Sequence, residues 1–186
     1  GSPVGRRGGS DTLDLDVRDP VGANRIGAVL MTTSRSRFVV TGAGGYLGPH
    51  VVAGLLARGH EVVAVVRPGS TAPTPAGATR QEADILSAEF DPRTWGALDG
   101  LVHLAWQDGF AHNSPQHMGQ LSAHYRLLTE TSAMGCPRIL ALGTMHEVGY
   151  WEGPVDADTP TNPQSLYGVA KDALRRALLL ALPDHT

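Results

Sequence analysis

The stretch "RFVVTGAGGYLGPHVVAGLLARGHEVVAVVRPGS", residues 37–70, decides the fold. A short apolar run leads into three glycines spaced three apart, Gly42, Gly45 and Gly48. An amphipathic segment and a second apolar run follow. Apolar runs without alternation suit strands covered on both faces. The segment between them reads as a helix over Tyr46 to Arg58. Pro49 falls in its first turn, where a missing N–H costs little, and Gly59 falls where a C-terminal cap belongs. This is a strand–helix–strand unit with its glycines at the hand-over from strand to helix.

Glycines there can serve chemistry as well as geometry. A helix N-terminus presents unpaired N–H groups and the positive end of the helix dipole, which suits a pyrophosphate. Gly42 would allow the tight turn, Gly45 the close approach of phosphate, and Gly48 the packing of helix on strand. A plain tight connection would also use glycine. The position after the first strand, with Tyr46 and Leu47 opening the helix, favours a dinucleotide cradle. The end of the second strand bears on which dinucleotide. An acidic residue there would bind a ribose 2′-hydroxyl, but Val66 fills that place and Arg67 follows. A strand-end arginine can be merely solvated. The missing carboxylate nevertheless favours a 2′-phosphate, and so NADP(H) over NAD(H).

Outward from this unit the chain goes on alternating. Further strands are expected at Thr79 to Ala83, Leu101 to Ala105 and Ile139 to Leu142. Further helices are expected near Pro92 to Leu98, at Pro115 to Met134 with Gly135 as its cap, and at Ser165 to Leu182. That order implies an α/β fold, doubly wound on a parallel sheet. The loop "RPGSTAPTPAGA" is rich in Pro, Gly and Thr and reads as mobile without a ligand. Residues 1–30 have little periodicity and read as a disordered leader or extension, with the folded domain over residues 31–186.

With 186 residues, 41% hydrophobic and 18% charged, the chain has the profile of a single globular domain. A formal net charge of -3 gives no reason to expect nucleic acid or an anionic membrane as partner. The lone cysteine, Cys136, cannot form an internal disulfide, and no apolar run reaches membrane-spanning length, so a cytoplasmic setting is expected. The histidines show no metal-ligand spacing, and no metal is expected.

Far downstream, "SLYGVAK" places Tyr167 and Lys171 four apart at the start of a helix, on one face. A nearby ammonium and a bound cofactor can lower a phenol's pKa enough for it to exchange a proton with a carbonyl or alcohol.

The order TGAGGYLG, ADIL, LVHLAW, ILALGT and YGVAK resembles the extended short-chain dehydrogenase/reductase family, of the sugar-nucleotide epimerase/dehydratase type. The resemblance implies a Rossmann-type sheet with one nicotinamide site serving both stretches. It implies Tyr167 and Lys171 as the catalytic pair, with Lys171 also holding the nicotinamide ribose. Thr144, closing the fifth strand, would hold the substrate oxygen. Asp84 and Ile85 would flank the adenine, and Leu104 and Ala105 would lie beneath the cofactor. A nucleotide-sugar substrate and a homodimer built on the two long helices are implied as well.

The chain also departs from the family's pattern. Gly143 precedes Thr144 where Ser is common, and Gln120 stands where an Asn is common. Met145-His146 replaces the acidic pair of dehydratases, which favours reductase or epimerase chemistry. Trp106, Asp108, His112, His146 and Glu147 are candidates for a sugar pocket, or for a plain polar loop. Family members carry roughly as much chain again after the Tyr-x-x-x-Lys helix, so the fold is expected to be truncated at its C-terminus. On that reading the chain would bind dinucleotide weakly and turn over nothing. The alternative to an enzyme is a catalytically silent nucleotide-binding module, although an intact Tyr167, Lys171 and Thr144 favours enzymatic ancestry.

Overall fold

The computed structural model describes residues 35–182. The expected leader over residues 1–30 lies outside the described residues. Five strands, β1 (Arg37–Thr41), β2 (Glu61–Val66), β3 (Thr79–Glu82), β4 (Gly100–His103) and β5 (Ile139–Ala141), form one sheet in the order β3-β2-β1-β4-β5. Every pairing is parallel, with Val39 opposite both Val63 and Leu101. Helix α1 (Gly48–Ala57) follows β1, and α2 (Gln116–Gly119) and α3 (Leu121–Ala133) follow β4. Helix α4 (Leu166–Ala181) comes last, with the Ser165 hydroxyl accepting from the Gly168 amide as its N-cap.

The side-chain parity of the strands accounts for the double winding. Successive residues of a strand point to opposite faces. Val39, Val63, Val65 and Leu101 therefore pack on one side with Leu127 and Leu128 of α3 and Leu174 of α4. Val40, Val62, Ala64 and Val66 pack on the other with Val52 of α1. Valine at consecutive positions thus covers both faces, as the unbroken apolar runs require.

Two elements differ from expectation. The helix expected over Pro115 to Met134 is broken into α2 and α3 at Gln120. The segment after β3 forms only a short 3-10 turn at Pro92–Trp95, capped by the Asp91 side chain, and Gly96 ends it at φ +70°. The loop after β2 has no regular structure but is held by Arg80. That guanidinium donates to the Ala72 carbonyl at 2.8 Å and to the Ser70 carbonyl, and pairs with Glu82 at 3.0 Å.

Because β2 and β4 flank β1 on opposite sides, the connections diverge at the C-terminal end of β1. In open α/β sheets this switch point is where ligands bind.

Candidate active site

Gly42 leaves β1 at φ +69°, a conformation that strains any residue with a side chain. A Cβ on it would also lie 2.7 Å from the Ala105 amide nitrogen, so Gly42 is what lets β1 and β4 end side by side. A Cβ on Gly48 would collide with the Ala43 carbonyl, so this glycine seats α1 on its own turn rather than on the strand. Gly45 is exposed, and its amide donates to the Gly42 carbonyl at 2.9 Å. Tyr46 and Leu47 are exposed beside it, Tyr46 at 90%.

The turn forms one wall of a groove of about 360 Å³ that runs across the C-terminal ends of the strands. Gly42, Gly45, Arg67, Asp84, Leu104 and Ala105 line it, together with Ile85 and Trp106. Seven expected cofactor positions, Ile85 among them, converge from four separate loops. Arg67 is exposed, and its guanidinium has no hydrogen bond or ion pair among the described residues. The groove's lining fits a dinucleotide: it joins the glycine turn at the N-terminus of α1 to apolar Val65, Ile85 and Leu104 and to the exposed Arg67.

The catalytic candidates stand at the β4–β5 side of the same edge. Lys171 is buried, at 6% exposure, and its Nζ donates to the Leu142 carbonyl at 2.7 Å. The ammonium stands 4.2 Å from the centre of the Trp106 ring. Burial pulls Lys171 from 10.5 down to about 8, against the opposing pull of the Glu147 carboxylate. The Tyr167 ring meets those of Trp106 at 6.0 Å and His146 at 5.4 Å. Among the described residues nothing hydrogen-bonds its hydroxyl. The loop before α2 fixes where Tyr167 sits: the Tyr167 amide donates to the His112 carbonyl at 2.9 Å and the Leu166 amide to Asn113 Oδ1 at 3.1 Å. Two amides in the first turn of α4, which have no partner within the helix, are satisfied this way.

Thr144 caps the short turn Met145–Glu147, its Oγ1 accepting from the His146 amide at 3.3 Å. Among the described residues its hydroxyl donates to no acceptor. Glu147, expected in the sugar pocket, is placed otherwise. It is 5% exposed, accepts from the Thr144 amide at 2.7 Å and pairs with Arg175 at 3.2 Å. A capping carboxylate braced by an arginine is a structural group, and Gly143 is its counterpart: a Cβ there would stand 3.0 Å from Glu147 Oε1. His146 and Trp106 remain beside Tyr167. Gln120 donates to the Gln107 side chain at 2.9 Å.

Sequence reasoning passed over a buried pair of histidines. His103 Nδ1 is hydrogen-bonded to Thr41 Oγ1 at 2.7 Å and its Nε2 to His124 Nδ1 at 2.9 Å. Burial, then the charges of His124 and Lys171, hold His103 well below the usual imidazole range; burial, then Lys171, brings His124 to about 3. Both are neutral at ordinary pH. The only signal was the polar His103 inside an apolar strand.

A doubly wound parallel sheet with a glycine turn at its switch point and a Tyr-x-x-x-Lys helix beside it defines a Rossmann-like nucleotide-binding protein. The model of the NAD dependent epimerase/dehydratase family matches residues 38–181, and the chain belongs to that family. It is 43% identical over 143 residues to a dTDP-6-deoxy-L-talose 4-dehydrogenase (NAD(+)) of Aggregatibacter actinomycetemcomitans, covering 75% of this chain and 53% of the relative. It is 29% identical to a UDP-glucose 4-epimerase of Streptomyces lividans, over 74% of this chain and 45% of the relative. Among solved structures, MoeE5 in complex with UDP-glucose and NAD superposes with a TM-score of 0.68 at 27% identity, over 81% of this chain and 51% of that one. The chain thus spans about half the length of the relatives it matches. Among the described residues no helix is long and apolar enough to cross a membrane, and no group of three or more His, Cys, Asp or Glu could hold a metal ion.

Proposed function

We propose that this chain is the cofactor-binding part of a cytoplasmic NAD(P)-dependent oxidoreductase or epimerase acting on a nucleotide-activated 4-keto sugar. The observation that carries the reading is Trp106, which lines the dinucleotide groove and touches both Lys171 and Tyr167. One residue thus joins the cofactor groove to the proton-transfer pair. The relatives' names support the substrate class, since both describe reactions at carbon 4 of a nucleotide-linked sugar.

The nicotinamide, when bound, supplies or accepts the hydride. Tyr167 donates a proton to the carbonyl oxygen, or takes one from the alcohol in reverse. Lys171 keeps the phenol acidic and would hold the ribose hydroxyls with the ammonium donors that the Leu142 carbonyl leaves free. Thr144 donates its free hydroxyl proton to the same oxygen and holds it in line. Arg67, its guanidinium unpaired at the end of β2, would hold the 2′-phosphate of NADP(H), and Asp84 and Ile85 would flank the adenine. His146 borders the sugar.

The surface between α3 and α4 supports a homodimer. Met118, Leu121, Tyr125, Ala173 and Ala177 line an apolar recess there, and small residues on α4 allow close helix packing. A concentration-independent monomer by sedimentation would refute the dimer.

The chemistry is tested in the natural full-length protein. Positioned proton transfer contributes about 10²–10⁴-fold. Tyr167→Phe should lose turnover on that scale while still binding cofactor, because the hydroxyl contacts no phosphate. An unchanged rate would overturn the catalytic assignment.

A further inference from the structure

Trp106 follows β4 directly, and four contacts converge on its indole. Its Nε1–H donates to His117 Nδ1 at 3.0 Å. Its ring lies nearly parallel to the His124 imidazole, 4.3 Å away at 10°. The Lys171 ammonium stands 4.2 Å from its centre, and Tyr167 meets it at 6.0 Å and 62°.

The protonation of its supports follows from donor and acceptor chemistry. An indole N–H can only donate, so His117 Nδ1 must accept. The partner of His117 Nε2 is the Ala111 carbonyl at 3.0 Å, which can only accept, so Nε2 carries the proton. His117 is therefore one defined tautomer, neutral, and it fixes the plane of the indole. His124 backs the ring and is itself held through His103 to Thr41. Two neutral imidazoles thus orient one flat ring, and the charged and phenolic residues rest against it.

We propose that Trp106 is a positioning residue for the Tyr167–Lys171 pair, and that His117 fixes Trp106 in that role. The proposal rests on reading Tyr167 and Lys171 as the proton-transfer pair. A flat ring is suited to the task. It keeps water from a buried ammonium while attracting the cation through its quadrupole, and it offers no acceptor that would draw Nζ away. The other groups acting on Lys171 are few: Glu147 from the turn after β5, and neutral His103 and His124 from β4 and α3.

The test uses the chain without cofactor, with side-chain nitrogens observed by NMR as pH is raised. In the unmutated chain the Trp106 indole resonance should shift with the midpoint of Lys171, near pH 8, and that shift should vanish in Lys171→Met. In Trp106→Ala, water reaches the ammonium and the Lys171 midpoint should rise toward 10.5, by about a unit or more. His117→Leu should move it in the same direction, and His117→Gln, which can still accept from Nε1, should restore it. A Trp106 resonance flat through the Lys171 titration would overturn the proposal without need of a destabilising variant. So would an unmoved Lys171 midpoint in a folded Trp106→Ala. Neither outcome depends on dinucleotide binding, so the proposal and the functional reading beneath it fail separately.

Discussion

Lys171 Nζ donates to the Leu142 carbonyl at 2.7 Å, so a buried ammonium on α4 is fastened to the C-terminal end of β5. The contact joins the last described helix to the sheet at the point where the expected substrate oxygen would be held. It also sets a measurable cost, because a charge kept from water with one carbonyl and one ring as partners is incompletely compensated.

That cost has a definite pH signature. The folded chain releases the Lys171 proton near pH 8, whereas the unfolded chain holds it to about 10.5. Between those values the unfolded state binds more protons, so stability should rise with pH across this window and level off above it. The full difference corresponds to about 3 kcal/mol. Lys171→Met also loses two contacts, so absolute stabilities are not the readout. Denaturant unfolding from pH 7 to 10.5 should give a rising curve for the unmutated chain and a flatter one for Lys171→Met. Parallel curves would contradict the buried, charged lysine.

The proposed preference for NADP(H) rests on Arg67. Its guanidinium is exposed, lines the groove and has no partner among the described residues. A charge-assisted contact to a 2′-phosphate contributes about 1.5–3 kcal/mol, roughly ten- to a hundredfold in Kd. NADPH should therefore bind more tightly than NADH, and Arg67→Ala should erase the difference. Equal affinities in the unmutated protein would assign the site to NAD(H), the cofactor of the relative at 43% identity.

Much of this was legible in residues 37–70, because a parallel strand buried on both faces leaves an unbroken apolar run and a tight turn leaves glycines. Gly42 needs positive φ and Gly48 a missing Cβ, and both requirements act locally. What could not be read depended on contacts across the chain. Trp106 looked like a pocket residue because nothing local reveals that His124, Lys171 and Tyr167 fold against it. Glu147 was misplaced although its signal was present, since Thr144-x-x-Glu147 is a capping-box pattern. The break between α2 and α3 falls at Gln120, whose side chain donates to Gln107, a contact that helical periodicity cannot carry.

The central claim is that the groove across the strand ends holds a nicotinamide dinucleotide with its reactive end at Trp106, Lys171 and Tyr167. The direct measurement is an NMR titration of the isotopically labelled chain with NADPH, following backbone amides and the Trp106 indole. The account predicts saturable shifts at Gly42, Gly45 and Gly48, at Ile85 and Ala105, and at the indole of Trp106. Saturation that leaves the glycine turn and Trp106 unmoved, or no shift at any of these positions at high NADPH, would contradict it.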